Sequence, residues 1–114
     1  MTEKTIFAQI IDGTIAAERH YEDEHCIVIA DLFPQAPIHM LVIPKKPLPK
    51  LSEATLEDQT LLGHLLLVAK TTAKDLGIDD AFRLIINNGS DAGQTIFHLH
   101  LHVLGGQLTT ENTL

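Results

Sequence analysis

Residues 97–103 read Phe-His-Leu-His-Leu-His-Val, an alternation of apolar and imidazole side chains. Strict alternation is typical of a β-strand, in which successive side chains point to opposite faces. The pattern predicts a strand with His98, His100 and His102 on one face and its four apolar side chains turned toward the core. An ordinary exposed strand face also draws on Thr, Lys, Glu and Ser, so three histidines in a row indicate a functional surface.

The rest of the chain predicts short elements of both types around this strand. Apolar residues recur at helical spacing near the start and in the middle of the chain, and β-branched apolar runs indicate strands. The predicted elements are a helix over about 5–11, strands over 26–30, 39–43 and 82–86, and a long helix over about 55–76 that ends at Gly77. A further strand over 18–22 is predicted as the hairpin partner of 26–30 across the polar turn 22–24. Tight turns between strands favour an antiparallel sheet, so we predict an α+β domain.

Composition narrows the class of protein further. A chain of 114 residues is expected to form one domain, and its formal net charge of -7 argues against nucleic-acid or anionic-membrane partners, which need a basic face. Cys26, the single cysteine, excludes an internal disulfide and fits a reducing compartment. The sequence has no apolar run of membrane-spanning length and no signal-peptide pattern. We therefore expect a cytoplasmic protein.

Three histidines in alternation fit two kinds of chemistry. Zinc could bind two of them, with His39 as a further ligand, but His98 and His102 lie roughly 13 Å apart along a strand and cannot share one ion. Alternatively, one neutral imidazole attacks phosphorus while its neighbours bind phosphate oxygens. The glycine-rich residues 87–95, which come just before, suit close approach of backbone N–H groups to an anion. This favours phosphoryl chemistry without a metal.

Residues 98–104, His-Leu-His-Leu-His-Val-Leu, resemble the signature of the histidine-triad (HIT) family, which is His-φ-His-φ-His-φ-φ with φ apolar. The resemblance is closest to the branch of histidine triad nucleotide-binding proteins, the purine nucleoside phosphoramidases. It extends from residue 5 to about 106 and leaves a short tail over 107–114. The other segments that fit this branch are Thr5–Phe7, Asp31, Pro34–Pro37, His39, Leu41–Lys46, Leu61–His64, Asn87, Gly89–Asp91, Gly93–Gln94 and Gly105–Gly106.

The resemblance implies a HIT-like fold, a five-stranded antiparallel sheet with one short N-terminal and one long central helix, and a homodimer whose sheets join. It implies hydrolysis, through a nucleotidyl-histidine, of the P–N bond in adenosine 5'-phosphoramidates to AMP and an amine, or hydrolysis of aminoacyl-adenylates to AMP. No metal or other cofactor is expected. The alternatives are a dinucleoside polyphosphate hydrolase, a nucleotidyl transferase of the same superfamily, and a non-catalytic nucleotide-binding regulatory protein.

The resemblance also implies residue roles. His100, the middle histidine, is the nucleophile, His102 and His39 hold the phosphate, and His98 orients His100. Thr95 is placed to donate to the leaving nitrogen or to relay a proton. The other implied nucleotide contacts are Ile6, Phe7, Ile10, Ile29 and Leu32 for the base, Asp31 for the ribose hydroxyls, and Asn87, Gly93 and Gln94 near the phosphate and leaving group.

The chain also departs from many members of the family. Pro47 stands where many relatives carry histidine, and Pro49 stiffens the same loop. Some relatives end in a tryptophan-bearing segment that reaches the partner subunit's site, whereas this chain contains no tryptophan. The preference among leaving groups is therefore left open by the sequence.

Overall fold

A computed structural model describes residues 4–106 of the protein. Its main elements are α1 (Ile6–Ile11), β1 (Tyr21–Glu22), β2 (Cys26–Ala30), β3 (Ile38–Pro44), α2 (Gln59–Asp75), β4 (Phe82–Ile85) and β5 (Leu101–Gly105). Short 3₁₀ turns lie at Leu51–Glu53, Leu56–Asp58 and Ser90–Ala92. The predicted tail over 107–114 lies outside the described residues.

The five strands form one sheet in the order β1-β2-β3-β5-β4, and every neighbouring pair is antiparallel. This confirms the predicted α+β fold and its five-stranded antiparallel sheet. The register places Leu41 of β3 opposite His102 of β5 and Ile29 of β2 opposite Leu41. Residues from three central strands therefore meet at one position on the sheet.

Both faces of the central strands β2 and β3 are buried, because a helix covers each face. Along β2, Cys26 and Val28 pack with the core under α2, while Ile27 and Ile29 pack with the core under α1. A continuous apolar run such as β2 is typical of a strand covered on both sides. The sheet thus separates two apolar cores, one under each helix.

The long helix begins later than its apolar pattern predicts. Residues 56–58 form a 3₁₀ turn, capped by reciprocal hydrogen bonds between Thr55 and Asp58, and α2 starts only at Gln59. At its other end Gly77 has a φ of 76°, the left-handed conformation predicted for a glycine that ends a helix. Among the described helices, none is long and apolar enough to cross a membrane.

The predicted bounds of the histidine strand are wrong. β5 begins at Leu101, so residues 97–100 precede the strand. The backbone N–H of Leu99 donates to the carbonyl of Leu48, which anchors this segment to the loop after β3. Phe97 is 44% exposed and does not reach the core as predicted, whereas Leu99, Leu101 and Val103 do. An alternating pattern describes an extended segment equally well whether or not it pairs with a neighbour.

Two glycine substitutions test the packing of this sheet. Alanine at Gly105 would place a Cβ against the Ile78 side chain, so we expect Gly105→Ala to lower the free energy of unfolding by about 1–3 kcal/mol. Gly63 lies in α2 with open space around it, so Gly63→Ala should raise that free energy by about 0.5–1 kcal/mol. Urea unfolding measures both, and equal midpoints for the two variants would contradict the packing described.

Candidate active site

Backbone carbonyl groups determine which ring nitrogen of His98 and of His100 carries the proton. His98 is buried, and its Nε2 lies 2.7 Å from the carbonyl oxygen of Pro44. The Nδ1 of His100 lies 2.7 Å from the carbonyl oxygen of His98. A carbonyl only accepts, so each of these nitrogens must be the N–H donor. In the neutral ring this leaves the Nε2 of His100 with a free lone pair.

A second relay fixes the tautomers of His39 and His102. The backbone N–H of Gln35 donates to the Nδ1 of His39 over 3.0 Å, so in the neutral ring the proton of His39 is on Nε2. That Nε2 lies 2.9 Å from the Nδ1 of His102, which then accepts. The remaining proton of neutral His102 is therefore on its Nε2. His39 itself is buried, so the relay is shielded from water.

The histidine rings form a row with the ring of Phe7 at one end. The centroids of Phe7 and His100 are 4.9 Å apart, those of His100 and His102 are 5.1 Å apart, and those of His102 and His39 are 5.1 Å apart. The first two contacts are edge-to-face, which holds the His100 ring between two neighbours. The His100 ring, with its free Nε2 lone pair, and the His102 ring, with its proton on Nε2, are thus held side by side.

Burial also sets the charge of these rings. Desolvation lowers the pKa of His98 and of His100, although the carbonyl that each contacts partly opposes this. The pKa of His102 is lowered to about 4, first by burial and then by the charges of His100 and His39. All three rings are therefore neutral near pH 7, which is the state in which an imidazole has a lone pair for attack.

His100 and His102 open onto a cavity of about 540 Å³ between α1 and the sheet. Its wall contains every side chain predicted to contact the base, together with Asp31 and Thr95. These residues are Ile6, Phe7, Ile10, Ile29, Leu32, Asp31 and Thr95. Asp31 follows β2 directly; its Oδ1 accepts from the N–H of Phe33, and its Oδ2 lies 3.4 Å from the Nε2 of His39.

The structure does not place the other predicted residues on the cavity wall. His39 and His98 lie behind the wall, where His39 contacts the ring of His102 and the carbonyl of His98 contacts the ring of His100. Asn87, Gly93 and Gln94 belong to the preceding loop and are likewise absent from the lining. The Gln94 side chain is buried and bonds Gly89 N, Pro49 O and Ile96 O, so its polar atoms brace the loop. Contact of these three loop residues with a nucleotide stays a prediction.

Sequence reasoning missed several residues that line or support the cavity. The additional lining residues are Ile15, Ala16, Ala17, Glu18, Ala30, Phe33, Leu41 and Ile96. Residues 15–18 lie in an irregular segment with no periodicity that would have indicated a wall. The supporting groups, Gln35 N–H and the Pro44 carbonyl, are backbone atoms that no side-chain motif can indicate.

Asp31, His39 and His102 could also hold a metal ion, because one ligand atom from each lies within 4.8 Å of the others. An ion there would replace the hydrogen bond between His39 and His102. His98 is not part of this group, which agrees with the argument that His98 and His102 cannot share an ion. That the chemistry needs no metal stays a prediction.

Comparison with known proteins agrees with this geometry. The family model described as HIT domain matches residues 12–109. The chain belongs to the HIT family. An uncharacterized HIT-like protein from Synechocystis sp. is 63% identical over 107 residues, which cover 94% of each chain.

Solved structures of HIT proteins share the fold throughout. A HIT family hydrolase from Clostridium thermocellum is 38% identical with a TM-score of 0.93, and the match covers 100% of both chains. A histidine triad nucleotide-binding protein from Candida albicans is 28% identical with a TM-score of 0.80, over 96% of this chain and 86% of that one. The HIT signature of this chain therefore lies in the same fold as in proteins named for hydrolysis and for nucleotide binding.

The tautomers and charges of the HIT histidines can be measured by ¹⁵N NMR. At neutral pH we expect protons on Nε2 of His98, Nδ1 of His100 and Nε2 of His102, with His102 titrating at about 4. The pKa of His102 in the folded protein lies below its unfolded value of about 6.5, so the unfolded chain binds a proton first as the pH falls. His102 should therefore lower the free energy of unfolding between about pH 6.5 and pH 4. A His102 midpoint near that unfolded value would contradict the burial described.

Proposed function

We propose that the protein is a purine nucleoside phosphoramidase, with His100 as the nucleophile. The observation that carries the proposal is the pairing of two neutral rings at one cavity. His100 has its Nε2 lone pair free, and neighbouring His102 has its proton on Nε2. A nucleophile beside a hydrogen-bond donor suits a phosphorus centre that gains negative charge during attack.

The proposed reaction has two steps. The Nε2 of His100 attacks the α-phosphorus of an adenosine 5'-phosphoramidate or aminoacyl-adenylate, and the bond to the leaving group breaks. A leaving amine departs with an added proton, for which the Thr95 hydroxyl on the cavity wall is a candidate relay. Water then attacks phosphorus, loses a proton, and breaks the N–P bond. AMP leaves, and His100 returns to its neutral state.

The remaining lining residues fit the nucleoside part of such a substrate. The apolar side chains of α1 and β2 offer a surface for a purine ring, and the Asp31 carboxylate offers acceptors for vicinal ribose hydroxyls. The fold match to proteins named as a hydrolase and as a nucleotide-binding protein supports the same class of ligand. His39 and His98 act as positioning residues, since each fixes the proton of a ring that faces the cavity.

The deciding experiment is steady-state hydrolysis of an adenosine phosphoramidate with a fluorogenic amine, in EDTA at neutral pH. We expect wild type to turn over and His100→Ala to lose about three orders of magnitude or more in rate, as when a catalytic nucleophile is removed. His20→Ala is the matched control, because His20 is exposed, pairs with Asp75 and lies outside the cavity.

Other outcomes would redirect the proposal. Turnover by His100→Ala at the wild-type rate would exclude nucleophilic attack by this residue. Wild type that binds AMP but does not cleave the phosphoramidate would favour dinucleoside polyphosphates or a regulatory binding role. Activity that returns only when zinc is added would make the group of Asp31, His39 and His102 a metal site.

We also propose that the protein is a homodimer joined through β4. Within residues 4–106, this strand has β5 as its one partner in the sheet, so its other edge offers backbone groups for pairing with a second copy. β1, the opposite edge strand, is only two residues long. Sedimentation should give a dimer for wild type and a shift toward monomer for Leu84→Asp on β4, whereas Leu56→Asp at an exposed 3₁₀ turn should stay dimeric. A monomeric wild type would contradict the proposal.

A further inference from the structure

A second group of polar side chains lies on the other face of the sheet, away from the cavity. Asp23 belongs to the turn between β1 and β2, Cys26 begins β2, and His64 lies on α2. One ligand atom of each lies within 4.8 Å of the other two. Cys26 packs in the core under α2, whereas the proposed nucleotide cavity lies under α1. The proposed reaction uses none of these three residues.

Asp23 is the centre of this group. Its Oδ1 accepts from the backbone N–H groups of His25 and Cys26, at 2.7 and 2.9 Å. Its Oδ2 lies 2.8 Å from the Tyr21 hydroxyl and 2.6 Å from the Nε2 of His64. Burial works to raise the pKa of Asp23, but these hydrogen bonds outweigh it and hold the pKa well below its usual range. The group therefore contains a fixed negative charge.

Hydrogen bonds hold Asp23 and His64 in place, and the sulfur of Cys26 lies beside the same Asp23 carboxylate. The thiol is fully buried and unoxidised. Burial, and next the neighbouring Asp23 carboxylate, raise its pKa to about 12. A thiol beside a carboxylate and an imidazole is a poor nucleophile, yet these three groups are the oxygen, nitrogen and sulfur ligands that zinc prefers.

We propose that Asp23, Cys26 and His64 form a Zn²⁺ site that ties the turn between β1 and β2 to α2. Three protein ligands come from three separate segments, and water completes the tetrahedron. The side chains of His64 and Asp23 are 32% and 20% exposed, so solvent reaches the site while the sulfur stays buried. His64 also lines a cavity of about 180 Å³ beside α2, which gives an ion a route to the ring.

Binding of zinc exchanges protons for the metal. The Cys26 thiol loses its proton to solvent, because a coordinating thiol is deprotonated outright. The proton that joins His64 to Asp23 moves to the other ring nitrogen of His64 or leaves, and the ion takes its place. Zinc–ligand bonds of about 2.0–2.3 Å in a tetrahedron require the 2.6 Å contact between His64 Nε2 and Asp23 Oδ2 to widen as the ion enters. The partly exposed side chains of His64 and Asp23 allow this movement.

Cobalt provides a direct test, because Cys26 is the only cysteine in the chain. Metal-free protein is titrated with Co²⁺ and read by the thiolate-to-cobalt charge-transfer absorption in the near ultraviolet. We expect one equivalent of Co²⁺ to give this band and one equivalent of Zn²⁺ to remove it. Cobalt bound at Asp31, His39 and His102 gives no such band, so the signal reports on the proposed site alone.

Variants assign the other ligands. Cys26→Ser should abolish the band, and His64→Gln should weaken Co²⁺ binding by on the order of 100-fold. His25→Gln is the matched control, since its ring contacts His64 edge-on at 5.3 Å but is not part of the group. Zinc should raise the thermal midpoint of wild type and of His25→Gln but not that of His64→Gln. Phosphoramidate hydrolysis in EDTA should be equal in wild type and His64→Gln.

The proposal is overturned if Co²⁺ gives no charge-transfer band with folded wild-type protein. It is also overturned if His64→Gln binds Co²⁺ as tightly as wild type. The experiment does not depend on the proposed hydrolysis, because the absorption band and the thermal midpoint are read without substrate. Failure of the phosphoramidase assay would therefore leave the zinc result unchanged.

Discussion

The arrangement of the candidate active site depends on hydrogen bonds from imidazole rings to backbone carbonyl groups. The ring of His98 donates to Pro44 O, and the ring of His100 donates to His98 O. Pro44 ends β3, so the first bond ties the histidine segment to the centre of the sheet. Leu99 N to Leu48 O and Gln94 Nε2 to Pro49 O extend this bracing along the following loop. The two prolines donate no backbone N–H, but their carbonyl groups are free to accept.

These bonds matter because burial keeps the rings neutral. A neutral imidazole has one donor and one acceptor nitrogen, and its chemistry depends on which nitrogen faces the substrate. A protonated ring would have two donors and no lone pair for attack. The lowered pKa values of His98, His100 and His102 are therefore needed for the carbonyl contacts to select a single reactive nitrogen. Burial and tautomer selection act together, and neither alone gives His100 the oriented lone pair that the proposed reaction needs.

The sequence predicts the elements of the fold well and the arrangement around the histidines only in part. Apolar patterns indicated both helices and four of the five strands, because these elements pack apolar side chains into the cores. Both residues of β1 are exposed, and this strand was predicted only as the hairpin partner of β2. The alternation of histidine and apolar residues predicted that β5 begins at Phe97, four residues before its observed start, and that Phe97 lies in the core. Alternation does not distinguish a paired strand from an extended segment, such as the one that the carbonyl of Leu48 anchors here. The family resemblance predicted that Ile6, Asp31 and Thr95 contact the ligand, and all three line the cavity. The backbone groups that fix the histidine tautomers, Gln35 N–H and Pro44 C=O, could not be predicted, because their contacts depend on the tertiary structure.

Alternation along β2 also explains how one small domain can have two separate polar sites. Cys26 and Ile27 are adjacent in the sequence, yet they face opposite sides of the sheet. The first residue of β2, Cys26, lies beside Asp23 and His64 on the α2 side of the sheet. Asp31, which follows the last residue of β2, lines the cavity on the α1 side. Two well-packed cores separate the sites, so a ligand at one has no direct contact with the other. An ion that joins the turn after β1 to α2 would stabilise the scaffold without entering the row of histidines.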